Sequence, residues 1–179
     1  MARIAPVAEN DLAPSVKVAF ERNLNGYETG VTNMKTTLAH SLIAFEVYMQ
    51  WYPLYQEIEK ILGKRLAYLY AYHISKASEC ILCTAFFRKM ISKAGENPDN
   101  IHLTPSQYDV VNLGSCIARY QGNIADHLYN AVAKNYTEAE MVLLIAFAGQ
   151  MIAMTVFNNV SETDVDEYLL DYVPAIGYH

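Results

Sequence analysis

A chain of 179 residues is long enough for one generous domain or two very small ones. With 53% hydrophobic and only 18% charged side chains, it is more apolar than a soluble monomer of this size readily hides, so part of that surface is expected in a subunit interface. The net charge of −6, with Lys and Arg scattered rather than striped, argues against a nucleic-acid partner.

Taken in chain order, the segments read as helices, and no stretch alternates with period two for long enough to suggest a strand. Met1–Ala2–Arg3–Ile4–Ala5–Pro6 has one basic residue and no apolar core, so it does not read as an export signal, and a cytoplasmic location is expected. Pro14 opens a first helix that ends near Asn25–Gly26. Asn33 caps a short helix leading to His40–Ser41, and a longer one follows to Trp51. Pro53 restarts the chain, and Gly63 separates that helix from Lys64–Lys76. A helix over Ser78–Ala94 stops at Gly95, followed by the polar loop Asn97–Pro98–Asp99–Asn100. Thr104–Pro105–Ser106–Gln107 and Thr137–Glu138–Ala139–Glu140 each carry the pattern of a capping box. Met141–Phe157 is uncharged, but it falls short of the roughly 20 residues that span a bilayer and is interrupted by Gly149, Gln150 and Thr155, so it reads as a core or interface helix. Together these segments predict a single all-α domain over 1–179. Its parts are N-terminal helices over about 1–62, a helical pair around C-x-x-C over about 64–95, and C-terminal helices over about 104–172.

The chemistry centres on Ser78–Glu79–Cys80–Ile81–Leu82–Cys83. Cysteines at i and i+3 of a helix share a face with α-carbons about 5 Å apart, a separation that a disulfide accepts. With Ser78 as N-cap, both would lie in the opening turns, where free N–H groups and the helix dipole favour a thiolate. In a reducing compartment a close pair is more often catalytic or metal-binding than structural. Simple burial as small hydrophobes is the competing reading, since Ile81, Leu82, Phe86 and Phe87 are apolar. Zinc fits poorly, with no second C-x-x-C and no H-x-x-x-H. Haem attachment would need His where Thr84 stands, and a thioredoxin-like fold needs a strand where Leu66–Ser75 reads as helix.

Asn33–Met34, Thr37–Leu38–Ala39–His40–Ser41, the helix into C-x-x-C and the capped helices of the last third together resemble the carboxymuconolactone decarboxylase family, in its alkylhydroperoxidase AhpD-like branch. The resemblance covers most of the chain. It implies an AhpD-like helical bundle assembled as a homo-oligomer, trimer or hexamer. It also implies hydroperoxide reduction with Cys83 peroxidatic and Cys80 resolving, restored by an external dithiol reductant. No metal or organic cofactor is implied beyond the redox-active cysteine pair, and no membrane partner. The family usually carries Glu twelve residues before the first cysteine and His four after the second; this chain has Tyr68 and Phe87 there.

Other residues are candidates for the relay or for the pocket. Glu79 is four before Cys83, within reach on a helix surface, although an acid in a first turn also has a purely structural explanation. His73 has a side chain suited to proton transfer, and Tyr68, Tyr72 and Ser75 share one face of the preceding helix. Cys116, His102 and His127 show no partner pattern. The expected function is thus a peroxidase-like thiol–disulfide oxidoreductase with an antioxidant role. A redox sensor or chaperone-like binder, or a structural oligomer of the same fold with little turnover, is the alternative. Decarboxylation is the least supported.

Overall fold

The computed structural model describes residues 2–27 and 29–175; Met1 and residues 176–179, the two ends of the expected domain, lie outside them. Eight α-helices are assigned among the described residues, with no strand. Pro14 is the first residue of α1 (Pro14–Tyr27), where its missing N–H costs nothing. Thr32, not Asn33, caps α2 (Asn33–Leu38): its Oγ1 accepts from the Lys35 backbone N at 3.3 Å. Ser41 does the same for α3 (Leu42–Met49) through the Ala44 N–H.

Helix α4 (Trp51–Ala77) begins two residues before the expected restart at Pro53, which its first turn accommodates. At Gly63 the backbone leaves the helix with φ 74 and ψ 154, a conformation open to glycine and strained for other residues, so α4 breaks there as the sequence suggested. Beyond the break, Leu66 to Tyr72 and Ile74 are all buried. This half is the central rod of the molecule, and α5 (Ile81–Lys93), α6 (Pro105–Arg119) and α8 (Glu138–Ser161) pack around it. Each Leu- or Ile-sized side chain so buried contributes about 1.5–3 kcal/mol of hydrophobic stabilisation before conformational entropy is subtracted.

Helix α6 reaches the rod through Gly114. A Cβ there would sit 2.4 Å from Tyr70 Cε2 and 2.8 Å from Ile74 Cγ1, so only a bare backbone fits. Both expected capping boxes form, Thr104 with Gln107 on α6 and Thr137 with Glu140 on α8. Helix α7 (Asp126–Ala133) follows α6 in the chain and packs against it, burying Leu128 and Val132.

Helix α8 is long and apolar enough to cross a membrane by length and composition alone. Its inward face, Met141, Leu144, Phe147, Ala148 and Met151, belongs to the core. Val142, Ile145, Val156 and Val160 lie exposed on the opposite side. After α8 the chain turns through a left-handed Glu162 (φ 51) into a 3-10 helix, Glu167–Tyr172, which packs against α5.

Candidate functional site

Three residues separate α4 from α5, and their backbone decides how the cysteines are presented. Ser78 closes α4 as its C-cap, and Glu79 takes a left-handed conformation (φ 53). The chain then enters α5 with Cys80 itself as N-cap. The expected capping role of Ser78 therefore falls to Cys80, because the tight turn at Glu79 leaves Ser78 attached to the preceding helix. The Cys80 Sγ accepts a hydrogen bond from the Cys83 backbone N–H at 3.3 Å, the bond that a Ser or Asp oxygen makes in an ordinary N-cap.

Both cysteines are buried and unbridged. Their environments divide the pair. Cys80 is held below the ordinary thiol range, chiefly by the hydrogen bond from the Cys83 side chain and then by the Cys83 and Leu82 backbone N–H groups, against the cost of burial. Cys83 is pushed well above that range, because its S–H donates to Cys80 and because it is buried. The arrangement makes Cys80 the more acidic thiol of the pair, with Cys83 as the donor to it. The Asn158 side-chain N–H on α8, 3.3 Å from the Cys83 sulfur, opposes the upward shift of Cys83 and further lowers Cys80. The same amide nitrogen lies 3.6 Å from Met34 Sδ, which ties α2 to the site.

Cys83, and not Cys80, forms part of the wall of a cavity of about 530 Å³ between α2, α4, α5, α8 and the final 3-10 helix. Half of the lining residues are aromatic or thioether, among them Trp51, Tyr55, Phe86, Phe87, Met151 and Met154. Trp51 stacks on Tyr55 at 4.7 Å between ring centroids and points its indole N–H at Met151 Sδ, 2.8 Å away, so the aromatic wall is held in place.

The other sequence candidates are dispersed. Phe87 is buried on the cavity wall, packed edge-on against Phe86. Tyr68 points the other way: its hydroxyl donates to Glu96 at 3.0 Å, and burial beside that carboxylate raises it to about 12. Glu96 is also gripped by Arg65 at 2.7 Å, so this trio clamps α4 to the loop after α5. The Tyr72 hydroxyl donates to the Pro98 carbonyl, and Ser75 Oγ to Ala71 O within its own helix. Glu79 is exposed on the turn. His73 is mostly buried with Nε2 unpartnered, and desolvation lowers it to about 4. None of Tyr68, Tyr72, His73 and Glu79 lines the cavity.

Among the polar cavity residues that the sequence does not single out are Asn158, Lys35 and Asp166. Asn158 sits among α8 positions that read as plain helix face, and nothing in its neighbours marks it. Lys35 is a charged residue in the short segment Asn33–Leu38, which the structure buries from its second residue on, and nothing local in the sequence marks it either.

No protein-family model matches the sequence, and no curated protein matches it. Solved structures do match. A cysteine-to-alanine variant of the debrominase Bmp8 in complex with 2,3,4-tribromopyrrole superposes with a TM-score of 0.78 at 12% identity, over 94% of each chain. Apo Bmp8 gives 0.74 at 13% identity, over 96% of this chain and 97% of that one. The alkylhydroperoxidase AhpD core of a peroxidase-related protein from Ralstonia eutropha JMP134 gives 0.69 at 12% identity, over 94% of each. The chain has the AhpD-like fold. At this identity the likeness lies in the helical architecture, which is the one its motifs pointed to.

Proposed function

We propose that the protein is a thiol–disulfide oxidoreductase that reduces an organic hydroperoxide held in the aromatic cavity. The observation that carries this reading is the division of labour between the cysteines: Cys83 meets the cavity, while Cys80 sits behind it as the lower-pKa thiol. The Glu and His relay expected from the family resemblance is absent, and the Cys80 thiolate takes its place as base. As the Cys83 sulfur attacks the terminal oxygen of ROOH, its proton passes to Cys80. The O–O bond breaks, ROH leaves with a proton from solvent, and Cys83 becomes the sulfenic acid. Cys80 then attacks that sulfur, expelling water and closing the disulfide, and an external dithiol returns two electrons and two protons. The sum is ROOH plus two thiols giving ROH, water and a disulfide. Asn158 donates to the Cys83 sulfur and steadies the negative charge that develops there.

A second reading has its own support. The aromatic and thioether lining suits a flat ligand, and the Bmp8 structures share this fold. The same thiol pair balances reductive dehalogenation, in which an aryl halide and two thiols give the arene, halide, a proton and a disulfide.

Counting free thiols by alkylation decides between outcomes. Starting from three, the wild type is expected to lose two on a small excess of cumene hydroperoxide and to regain them with dithiothreitol, while Cys83→Ser loses none. Unchanged thiols at millimolar hydroperoxide refute the peroxidase reading. Thiol loss with halide release from an aryl bromide, and none with hydroperoxide, establishes the second.

A further inference from the structure

The cavity that meets Cys83 also contains a buried cation. Lys35 is 1% exposed, and its Nζ donates to Thr29 Oγ1 at 3.1 Å and to the Gly30 carbonyl at 3.0 Å. It lies 5.1 Å from the centre of the Tyr52 ring. All four of these residues line the cavity. An ammonium has three N–H donors, and two are accounted for here by neutral acceptors. Among the described residues Lys35 makes no ion pair; the cavity's two carboxylates, Glu59 and Asp166, are both beyond ion-pairing distance of Nζ. A buried, uncompensated charge costs several kcal/mol and is kept where something pairs with it. Burial lowers Lys35 to about 8, which still leaves it mainly charged at neutral pH.

We propose that Lys35 is the anchor for an anionic oxygen group on the ligand, so that the cavity selects an aromatic or similarly compact apolar body bearing one carboxylate or acidic phenol. The body lies against Trp51, Tyr55 and Phe87, and its reactive atom faces Cys83. This rests on the reading of the cavity as the place where substrate meets Cys83. Asp166 is a second buried ionisable group in the same wall. Its Oδ1 accepts from the Asn33 backbone N–H at 2.8 Å, and its Oδ2 is buried without a partner. Burial shifts Asp166 upward, toward the neutral acid, so its demand is for one hydrogen bond, whereas Lys35 has no counter-charge among the described residues.

The test uses three ligands of one shape: 2-naphthoate, methyl 2-naphthoate and 2-naphthylmethylamine. Binding is measured by calorimetry on full-length Cys83→Ser, where no redox step intervenes. Naphthoate is expected to bind at least tenfold more tightly than the ester. Lys35→Met is expected to bring the two within twofold, while Lys35→Arg keeps the preference. Equal affinities for acid and ester, a preference that survives Lys35→Met, or tightest binding of the amine each overturns the proposal. Should Lys35→Met fail to fold, the acid-to-ester ratio with Lys35 in place decides. The two readings separate cleanly. An acid preference without thiol loss in the wild type overturns the oxidoreductase reading alone, and thiol loss without the preference overturns the Lys35 anchor alone.

Discussion

Replacing Asn158 with Leu removes the one amide that touches the Cys83 sulfur while keeping the volume of the side chain. The lost bond is a donor to an ionising group, worth about 1.5–3 kcal/mol, which at 1.36 kcal/mol per unit raises the Cys83 thiol by about 1–2 pH units. A more basic thiolate is also a better nucleophile, with a Brønsted coefficient of about 0.45, so the net loss of rate at pH 7 is about 4- to 16-fold. The assay is the pH profile of iodoacetamide alkylation, with Cys83 resolved from Cys80 and Cys116 by peptide mass spectrometry. The profile should move to higher pH, and the deficit should close as pH rises through the new value. A purely structural role would lower the rate at every pH alike. Superimposable profiles for wild type and Asn158→Leu, with both proteins folded, would refute the assignment of Asn158 to the thiol.

Two further predictions concern stability. In Gly114→Ala the new methyl runs into the Tyr70 ring, whose hydroxyl donates to Leu144 O at 3.1 Å. Overpacking should outweigh the gain of about 1 kcal/mol in helix propensity and leave a net loss of about 2 kcal/mol, or roughly 4–8 °C in Tm; a calorimetric Tm at or above wild type would contradict this close approach. For His73, the folded value of about 4 lies below the unfolded 6.5, so the unfolded chain takes up a proton that the folded chain refuses. Stability is therefore lost as pH falls through that window, by about 2 kcal/mol between pH 7 and pH 5, and a urea series should show His73→Phe largely without this acid slope.

The helices were legible because their signals are local. Pro14, Gly63, Gly95 and the two capping boxes act within one turn of chain, and each does in the structure what its chemistry dictates. The cysteine pair was legible by spacing alone. The capping role of Cys80 was not, because Ser78 is the better capping residue in isolation and only the left-handed Glu79 assigns it to α4. Asn158 reaches Cys83 across 75 positions of sequence and Lys35 meets the same cavity from α2, both through helix packing that no periodicity encodes. The helical period puts Tyr68 and Tyr72 on one face correctly. It does not say which neighbour that face meets, and their hydroxyls bond to Glu96 and Pro98.

The Cys80 sulfur holds two posts at once. In the reduced protein it is the acceptor that ties down the Cys83 N–H at the start of α5. In the proposed cycle, closing the disulfide would take a lone pair and the freedom to turn from that acceptor and so weaken the cap. On that proposal the first turn of α5 would register the redox state, best fastened when the pair is reduced and looser when it is oxidised. A reductant that must reach a buried disulfide would meet the protein at the moment its covering turn is least secure.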